Sequence, residues 1–314
     1  MVPPTFVSTV LDEILGGVDL AIGALADGRQ PLRTRPAAQT APLPAFKLAS
    51  RALRPESSEV PIAPGVTVGG RRLAIIAGPG CVESREQMLE TAARVKAAGA
   101  TMLRGGAFRS PASPYAFPGL QETALKYLAE AGREHGLPVV TEVEPDKIDI
   151  VAAHADVLTI DTRNIQDFAL LRRVAETGRP VLLERGLSTT IDEWLLSAEY
   201  LLAGGNPHVI LCERGIRGFE AATRPTLDLT AIPIVKKLSH LPVVVNPCDG
   251  TGSWQYVEAM ALAATAAGAD GVIVDVHPRP DTALSDGPQS LTPQRFAQLM
   301  TRIRRVAEAV GRDV

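Results

Sequence analysis

Two apolar runs near the C-terminus end in polar side chains that could do chemistry. The run Val243–Val245 precedes Asp249 by a few residues, and the run Gly271–Val274 leads into Asp275 and His277. A short β-branched run of this kind predicts a buried strand that delivers its last side chains to one edge. A carboxylate or an imidazole at such an edge can move protons. We therefore expect Asp249 and His277 to act in catalysis.

Other predicted strands also end in charged residues. The arginines at these positions are Arg104, Arg109, Arg163, Arg185 and Arg214, and the carboxylates are Glu142, Asp161, Glu184, Glu213, Asp249, Asp275 and, in the last loop, Asp286. Guanidinium groups bind carboxylate and phosphate groups in bidentate fashion, so the arginines predict a small anionic metabolite as ligand. The alternative is that each charge is a solvated rim residue or the ion-pair partner of a neighbour.

Three of these carboxylates come from adjacent strand ends and could bind a divalent cation. Asp249, Asp275 and Asp286 offer hard oxygen ligands, which suit Mg²⁺ or Mn²⁺. Cys81 and Cys248 are weaker candidates, because an isolated cysteine is usually a small buried hydrophobe. The alternative is that the carboxylates pair with the arginines and that no metal is bound.

A regular alternation of strands and helices would position these side chains. Strands are predicted at residues 73–79, 101–107, 138–143, 157–161, 180–186, 209–215, 242–247 and 271–277. Helices are predicted at residues 84–98, 120–135, 168–177, 191–202, 256–267 and 292–310. This pattern predicts an α/β fold, a (β/α)8 TIM barrel, in which the active site lies at the C-terminal ends of the strands.

The first 45 residues differ from the rest of the chain. Apolar residues recur at helical spacing between residues 7 and 25, and a segment rich in Pro and Ala follows without periodicity. We predict a short N-terminal helical extension and linker over residues 1–45, and a barrel domain over residues 46–314. Acidic residues inside the helix and the lack of a preceding positive charge argue against a signal peptide or a membrane span.

Composition narrows the class of protein. The chain has 314 residues, of which 46% are hydrophobic and 21% charged, as in a soluble globular protein. A net charge of -3 and an aromatic content of 4% argue against nucleic-acid binding. Three cysteines at predicted strand ends favour a reducing cytoplasm over a disulfide-stapled secreted domain.

Several motifs carry a family resemblance. They are Ala77-Gly78-Pro79, Arg104-Gly105-Gly106-Ala107-Phe108, Ser113-Pro114-Tyr115, Cys212-Glu213-Arg214-Gly215 and the segment from Leu284 to Leu291. The chain resembles the type I-beta DAHP synthases (3-deoxy-D-arabino-heptulosonate 7-phosphate synthases) from about Phe46 to about Met300. The resemblance implies a homo-oligomeric TIM barrel that condenses phosphoenolpyruvate with erythrose 4-phosphate, using a divalent metal, at the entry to the shikimate pathway. It also implies that Arg104, Arg163 and Arg214 bind phosphoenolpyruvate or a similar anion.

Other positions depart from the family pattern. The metal ligands that the resemblance implies are Cys, His, Glu and Asp, and these positions hold Gly80, Asp249, Asp275 and Asp286. Further departures are Arg109 for Lys, Pro111 and Ala112 for an Arg and a Thr that bind the sugar phosphate, and Glu184 for Lys. The change at Glu184 alters the local charge by two units, which is worth roughly a few kcal/mol within about 4 Å.

These departures favour a DAHP-synthase-like enzyme with a repurposed site. It would act on a small carboxylated or enolpyruvyl-type metabolite in shikimate-related or specialised biosynthesis, with Glu184, Asp249 or His277 moving protons. One alternative is a genuine DAHP synthase. The other is a non-catalytic regulatory or partner subunit that retains the scaffold and has lost catalytic groups.

Overall fold

The computed structural model describes residues 44–108, 113, 115–223 and 225–314. The predicted N-terminal helix and most of the predicted linker lie outside these residues, as do Arg109, Pro111 and Ala112. The domain boundary at residue 45 therefore stays a prediction.

Ten strands lie in the described part of the chain. A two-stranded antiparallel hairpin comes first, formed by β1 (Val60–Ala63) and β2 (Val66–Val68). The other strands are β3 (Ala74–Gly78), β4 (Met102–Arg104), β5 (Val139–Glu142), β6 (Val157–Ile160), β7 (Val181–Glu184), β8 (Val209–Glu213), β9 (Val243–Val245) and β10 (Gly271–Asp275). These eight pair in parallel and close into a barrel in the order β10-β3-β4-β5-β6-β7-β8-β9. The predicted TIM barrel is confirmed.

Helices connect the barrel strands. They are α1 (Arg85–Ala98), α2 (Glu122–His135), α3 (Ile148–His154), α4 (Phe168–Glu176), α5 (Ile191–Ala203), α6 (Ala231–Leu238), α7 (Pro247–Thr251), α8 (Trp254–Ala266) and α9 (Pro293–Ala309). The sequence pattern missed α3, α6 and α7, which have at most eight residues and therefore show too few turns for a clear period. None of the described helices has the length and apolar character needed to cross a membrane.

Side-chain caps fix where several helices begin. Helix α5 starts with a capping box, in which the Thr190 hydroxyl accepts from the Glu193 amide and the Glu193 carboxylate accepts from the Thr190 amide. The Ser84 hydroxyl accepts from the Gln87 amide at the start of α1, and the Thr292 hydroxyl accepts from the Arg295 amide at the start of α9. These caps fix the residue at which each loop from the barrel mouth ends and the helix begins.

Two apolar layers lie on either side of the barrel wall. Outward-facing strand residues pack against the helices around large buried side chains such as Trp194 and Phe296. Inward-facing residues form a separate cluster with Val60 and Val68 of the hairpin, and its barrel members include Ile76, Met102, Val140, Leu182, Ile210, Val244 and Ile273. This inner cluster is the apolar floor, on which any polar group at the mouth must rest.

Candidate active site

The two-residue period of a strand explains which polar side chains face the barrel interior. Arg104 follows Met102 by two positions, Glu142 follows Val140, Glu184 follows Leu182 and Asp275 follows Ile273. Each therefore occupies the next inward position above the apolar floor. A pocket is lined by three of these residues, Arg104, Glu142 and Glu184, together with Asn246.

Arg104 contacts two of the carboxylates at the barrel mouth. Its Nη1 pairs with Oδ1 of Asp275, and its Nη2 lies 3.3 Å from Oε1 of Glu142. The Arg104 side chain is 12% exposed and that of Asp275 only 1%. Because Asp275 is buried and Arg104 largely so, removing one of them leaves an uncompensated charge in the interior.

Arg214 forms the second cationic centre. Its Nη2 lies 3.1 Å from Oδ2 of Asp249, and its Nε lies 3.6 Å from Oε2 of Glu184. Within the described residues, this Nε–H is buried and has no hydrogen-bond acceptor. The group can therefore donate to a ligand oxygen without breaking a hydrogen bond inside the protein.

A neutral amide bridges two of the carboxylates. Nε2 of Gln289 lies 2.8 Å from Oδ1 of Asp249 and 2.6 Å from Oδ2 of Asp275. An amide NH2 group has two hydrogens, so one can be donated to each carboxylate. Gln289 is 3% exposed and lies on the short 3-10 turn Gly287–Gln289, directly after Asp286.

The three aspartates do not present an open metal site. In the part of the chain that is described, no three His, Cys, Asp or Glu side chains are arranged to hold a metal ion. The Cys248 thiol accepts a hydrogen bond from the amide of Asp275 at 3.1 Å. A Cβ atom at Gly80 would lie 2.8 Å from Oδ2 of Asp286, so the carboxylate occupies the space that a side chain there would need. The residues present do not fit a divalent ion in this arrangement.

Burial and neighbouring charges shift the pKa values of the carboxylates at the mouth in different directions. Burial raises the pKa of Glu184 to about 8, with Arg214 opposing the shift and nearby carboxylates supporting it. Burial likewise raises the pKa of Asp275 to about 7, against the pull of Arg104. For Asp249, burial is outweighed by Arg214 and Arg104, which lower its pKa to about 2. The mouth therefore combines a neutral acid at position 184 with an ionised carboxylate at position 249.

Two predicted ligands have other partners. Arg163 is half exposed, pairs with Asp161 at 2.7 Å and lies 4.0 Å from Glu144. Arg185 directly follows Glu184, whose side chain faces the barrel interior, and it donates from Nη1 to Glu213 at 2.8 Å and to Asp228 at 2.9 Å. Its guanidinium also lies over the Trp194 ring, among the helices. Arg163 stands at the rim and Arg185 in a buried ion-pair network, so their predicted roles in binding stay predictions.

His277 and Cys81 also have partners within the protein. Nδ1 of His277 accepts from the amide of Arg279 at 3.0 Å, and its Nε2 lies 3.3 Å from Oε2 of Glu83. This arrangement places the proton of a neutral ring on Nε2. Cys81 is buried at 1% exposure, and its thiol contacts the carbonyl of Val82. The proposed catalytic role of His277 is untested by these contacts.

Two residues of the site, Gln289 and Glu142, were given no role in the prediction from sequence. Gln289 belongs to the Leu284–Leu291 motif, but an uncharged amide gave no electrostatic signal. Glu142 was recognised as a strand-end carboxylate and was not assigned a role, although it faces Arg104. Its inward position could have been found by counting two residues on from Val140.

Comparison with known proteins identifies the family. The model of the DAHP synthetase I family matches residues 54–310. The chain belongs to the DAHP synthetase I family. It is 47% identical over 267 residues to a phospho-2-dehydro-3-deoxyheptonate aldolase of Thermotoga maritima, across 85% of this chain and 79% of the relative. A 2-dehydro-3-deoxyphosphooctonate aldolase of Methylococcus capsulatus is 34% identical over 246 residues, across 73% of this chain and 86% of the relative.

Solved structures of the family share this fold. The crystal structure of the Thermotoga maritima DAHP synthase superimposes with a TM-score of 0.84 at 46% identity, covering 87% of this chain and 80% of the other. A truncated form of 3-deoxy-D-arabino-heptulosonate 7-phosphate synthase from the same organism gives a TM-score of 0.81 at 45% identity. It covers 86% of this chain and 99% of the other. The protein is an enzyme of this family, and the hypothesis of a non-catalytic subunit gains no support.

Proposed function

We propose that the chain catalyses the DAHP synthase reaction, the condensation of phosphoenolpyruvate with erythrose 4-phosphate, as an entry step to aromatic biosynthesis. The methylene carbon of the enolpyruvate forms a bond to the aldehyde carbon, and the aldehyde oxygen takes up a proton. Water adds at the enol carbon and inorganic phosphate leaves. The observation that carries this proposal is the 47% identity to a relative of that activity, together with two largely buried arginines at the barrel mouth.

The similarity supports this reaction better than the repurposed site that the departures first suggested. That hypothesis rested on the departures at Gly80, Pro111, Glu184 and Asp249 together. Glu184 contributed a fixed negative charge in place of a lysine. With its pKa raised to about 8 by burial, Glu184 is largely protonated at neutral pH. Replacing a lysine by this neutral acid then lowers the local charge by one unit instead of two. A protonated carboxylic acid can also still donate a hydrogen bond to an anion.

Arg104 and Arg214 are the groups best placed to bind the substrate anion. Both contribute guanidinium groups at the mouth, and the Arg214 Nε–H is buried with no acceptor among the described residues. An anionic oxygen placed against this donor gains a charge-assisted hydrogen bond in a region of low dielectric. A small phosphorylated metabolite meets this requirement.

Glu184 is suited to supply the proton that the aldehyde oxygen needs. Its Oε2 lies 3.3 Å from the amide of Thr162 and 3.6 Å from Nε of Arg214. A general acid works best when its pKa lies near the working pH, and a value of about 8 meets that condition. In this proposal, Glu184 donates the proton and Arg214 stabilises the carboxylate that remains.

The direct test is a coupled assay on the full chain. Phosphoenolpyruvate is mixed with erythrose 4-phosphate, and both phosphate release and the heptulosonate product are followed. Turnover within the ordinary range for enzymes, about 1 to 10³ s⁻¹, would support the proposal. Aldose phosphates of five carbons are run in parallel. Turnover with the five-carbon aldose phosphates alone would assign a different acceptor. If phosphoenolpyruvate were consumed with none of the aldehydes, including erythrose 4-phosphate, the proposed condensation would be overturned.

A further inference from the structure

We propose that the active centre works without a divalent metal ion, and that the Gln289 amide and the Arg104 guanidinium occupy the place that a metal would need between Asp249 and Asp275. The inference concerns what the carboxylates bind, and it does not depend on which aldehyde the enzyme accepts. It therefore goes beyond the proposed function.

The first observation is that every oxygen of these two carboxylates already has a donor. Oδ1 of Asp275 pairs with Arg104, and its Oδ2 accepts from Gln289. Oδ1 of Asp249 accepts from Gln289, and its Oδ2 accepts from Asn246 at 2.8 Å and pairs with Arg214 at 3.1 Å. A metal ion placed between the two carboxylates would have to displace the Gln289 amide, whose nitrogen already lies within hydrogen-bond distance of both.

The second observation is the geometry of the Gln289 amide. Its two contacts, 2.8 Å to Asp249 and 2.6 Å to Asp275, have the lengths of strong hydrogen bonds to charged groups. One nitrogen therefore joins two carboxylates that a cation would otherwise join. Displacing it would leave a buried amide without these acceptors, which is unfavourable in the interior.

The third observation is the composition of the four positions that the family resemblance assigns to metal ligands. Gly80 contributes no side chain, and the other three are Asp249, Asp275 and Asp286. Oδ2 of Asp286 lies where a side chain at position 80 would project, 2.8 Å from a Cβ placed there. The Ser285 hydroxyl also donates to this oxygen at 2.8 Å. A thiolate or imidazole ligand is thus absent from all four positions.

The electrostatic consequence is that fixed guanidinium groups carry the positive charge of the centre. The chain of contacts runs from Arg104 through Asp275, Gln289 and Asp249 to Arg214. Largely buried and mutually hydrogen-bonded groups of this kind hold their positions without reorganisation when a substrate binds. The two arginines can therefore face the substrate anion at a set separation, with no metal ion between the carboxylates.

The test measures metal binding directly and without substrate. The full chain is purified, treated with a chelator and dialysed, and Mn²⁺ binding is measured by titration calorimetry and by the paramagnetic resonance of free Mn²⁺. We expect no site tighter than about 10⁻³ M, the weak end of oxygen-ligand sites. The thermal melting temperature should also be the same with chelator and with Mn²⁺. Binding of one equivalent with a rise in melting temperature would overturn the inference.

A single substitution sharpens the test. Gln289→Glu replaces the bridging amide by a third carboxylate between Asp249 and Asp275, and should create Mn²⁺ affinity at least about tenfold above that of the unmodified chain. Gln87→Glu is the matched control, because Gln87 is also buried, at 4% exposure, but donates to the carbonyl of Cys81. This control should gain no affinity. If both variants gained it equally, the bridge would not be the cause and the inference would fail.

Metal binding and turnover are separable outcomes. An inactive protein that also binds no Mn²⁺ would overturn the proposed function, while the inference that Gln289 and Arg104 occupy the place of a metal would be supported. An active protein that loses turnover on chelation and recovers it with Mn²⁺ would do the reverse. Should Gln289→Glu fail to fold, the measurements on the unmodified chain decide the question by themselves.

Discussion

Nε of Arg214 lies 3.6 Å from Oε2 of Glu184, close enough for attraction but too far for a hydrogen bond. The loose contact leaves burial as the larger influence on the carboxyl group, so its pKa rises to about 8 despite the neighbouring cation. A ligand oxygen that inserts beside this Nε–H would find a donor on the arginine and a second donor on the protonated acid. The pair is thus built to receive an anion while Glu184 is neutral.

The affinity for phosphoenolpyruvate should therefore fall as Glu184 ionises. In the unmodified chain, we expect binding to weaken as the pH rises through about 8, because a carboxylate then faces the anion. Glu184→Gln keeps the size and the hydrogen-bond donor but cannot ionise, so its affinity at neutral pH should stay within about threefold and should not decline over this interval. Titration calorimetry with phosphoenolpyruvate from pH 6 to 9 measures both.

A matched change elsewhere controls for the general effect of removing a carboxylate. Glu193→Gln removes an exposed acid from the capping box of α5, away from the barrel interior. Its affinity profile should follow that of the unmodified chain. If Glu184→Gln showed the same decline with pH, another group would be responsible for it.

The same shift predicts how the stability depends on pH. Because the pKa of Glu184 is raised in the folded state from 4.5 to about 8, the folded protein holds a proton that the unfolded chain releases. The contribution of this group to the free energy of unfolding is therefore greatest below pH 4.5. It falls by up to about 1.4 kcal/mol per pH unit between pH 4.5 and about 8, and it has been lost above that pH.

Urea denaturation from pH 5 to 8 checks this slope. Comparison of Glu184→Gln with the unmodified chain isolates the contribution of one group, although Asp275 has a raised pKa of about 7 and adds a slope of the same sign. The variant should show the shallower decline. Identical slopes would mean that Glu184 is ionised in the folded protein.

The fold could be predicted from the sequence because its signals are local and repeated. Each predicted strand contains an observed one, and the breaks at glycine and proline mark most helix ends. The hairpin of β1 and β2 was overlooked, since each strand has only three or four residues. Only Val60 and Val68 are fully buried, and Ile62 and Val66 pack against the same cluster while partly exposed. Runs this short carry no periodic signal that separates them from a loop.

The site could be predicted only in part, because residue type does not fix a partner. The convergence of Arg104, Arg214, Asp249 and Asp275 followed from their positions at strand ends. The sequence left open whether the aspartates bind a metal or the arginines, and the observed contacts are with the arginines and Gln289. Nor could the pKa of Glu184 be foreseen, since it depends on burial and on charges from other strands.

Arg185 should matter for stability more than for binding. It pairs with Glu213, which is fully buried, and with Asp228. Arg185→Met leaves Glu213 without its cation, so the free energy of unfolding should fall by about 3–5 kcal/mol. Phosphoenolpyruvate affinity of the folded fraction should change by less than about threefold, or 0.7 kcal/mol.

Chemical denaturation and calorimetry on the same preparation separate these two effects. Arg172→Met is a control of the same substitution type, at an exposed arginine whose guanidinium lies over the Tyr200 ring. It should cost about 0.5–1 kcal/mol at most. A large loss of affinity in Arg185→Met with little loss of stability would instead support the original prediction that Arg185 is a substrate ligand.

Arg104 and Arg163 are both predicted anion ligands, and the same conservative change should separate them. The forked guanidinium of Arg104 reaches Asp275 with Nη1 and Glu142 with Nη2, and a single ammonium group cannot span both. Arg104→Lys should therefore weaken phosphoenolpyruvate binding by about tenfold or more, which corresponds to about 1.4 kcal/mol. Arg163→Lys acts on a side chain that is 48% exposed, where water screens the charge, and should cost less than about threefold. Calorimetric titration of both variants distinguishes a binding site confined to Arg104 and Arg214 from one that extends to Arg163 at the rim. Equal losses in the two variants would establish the wider site.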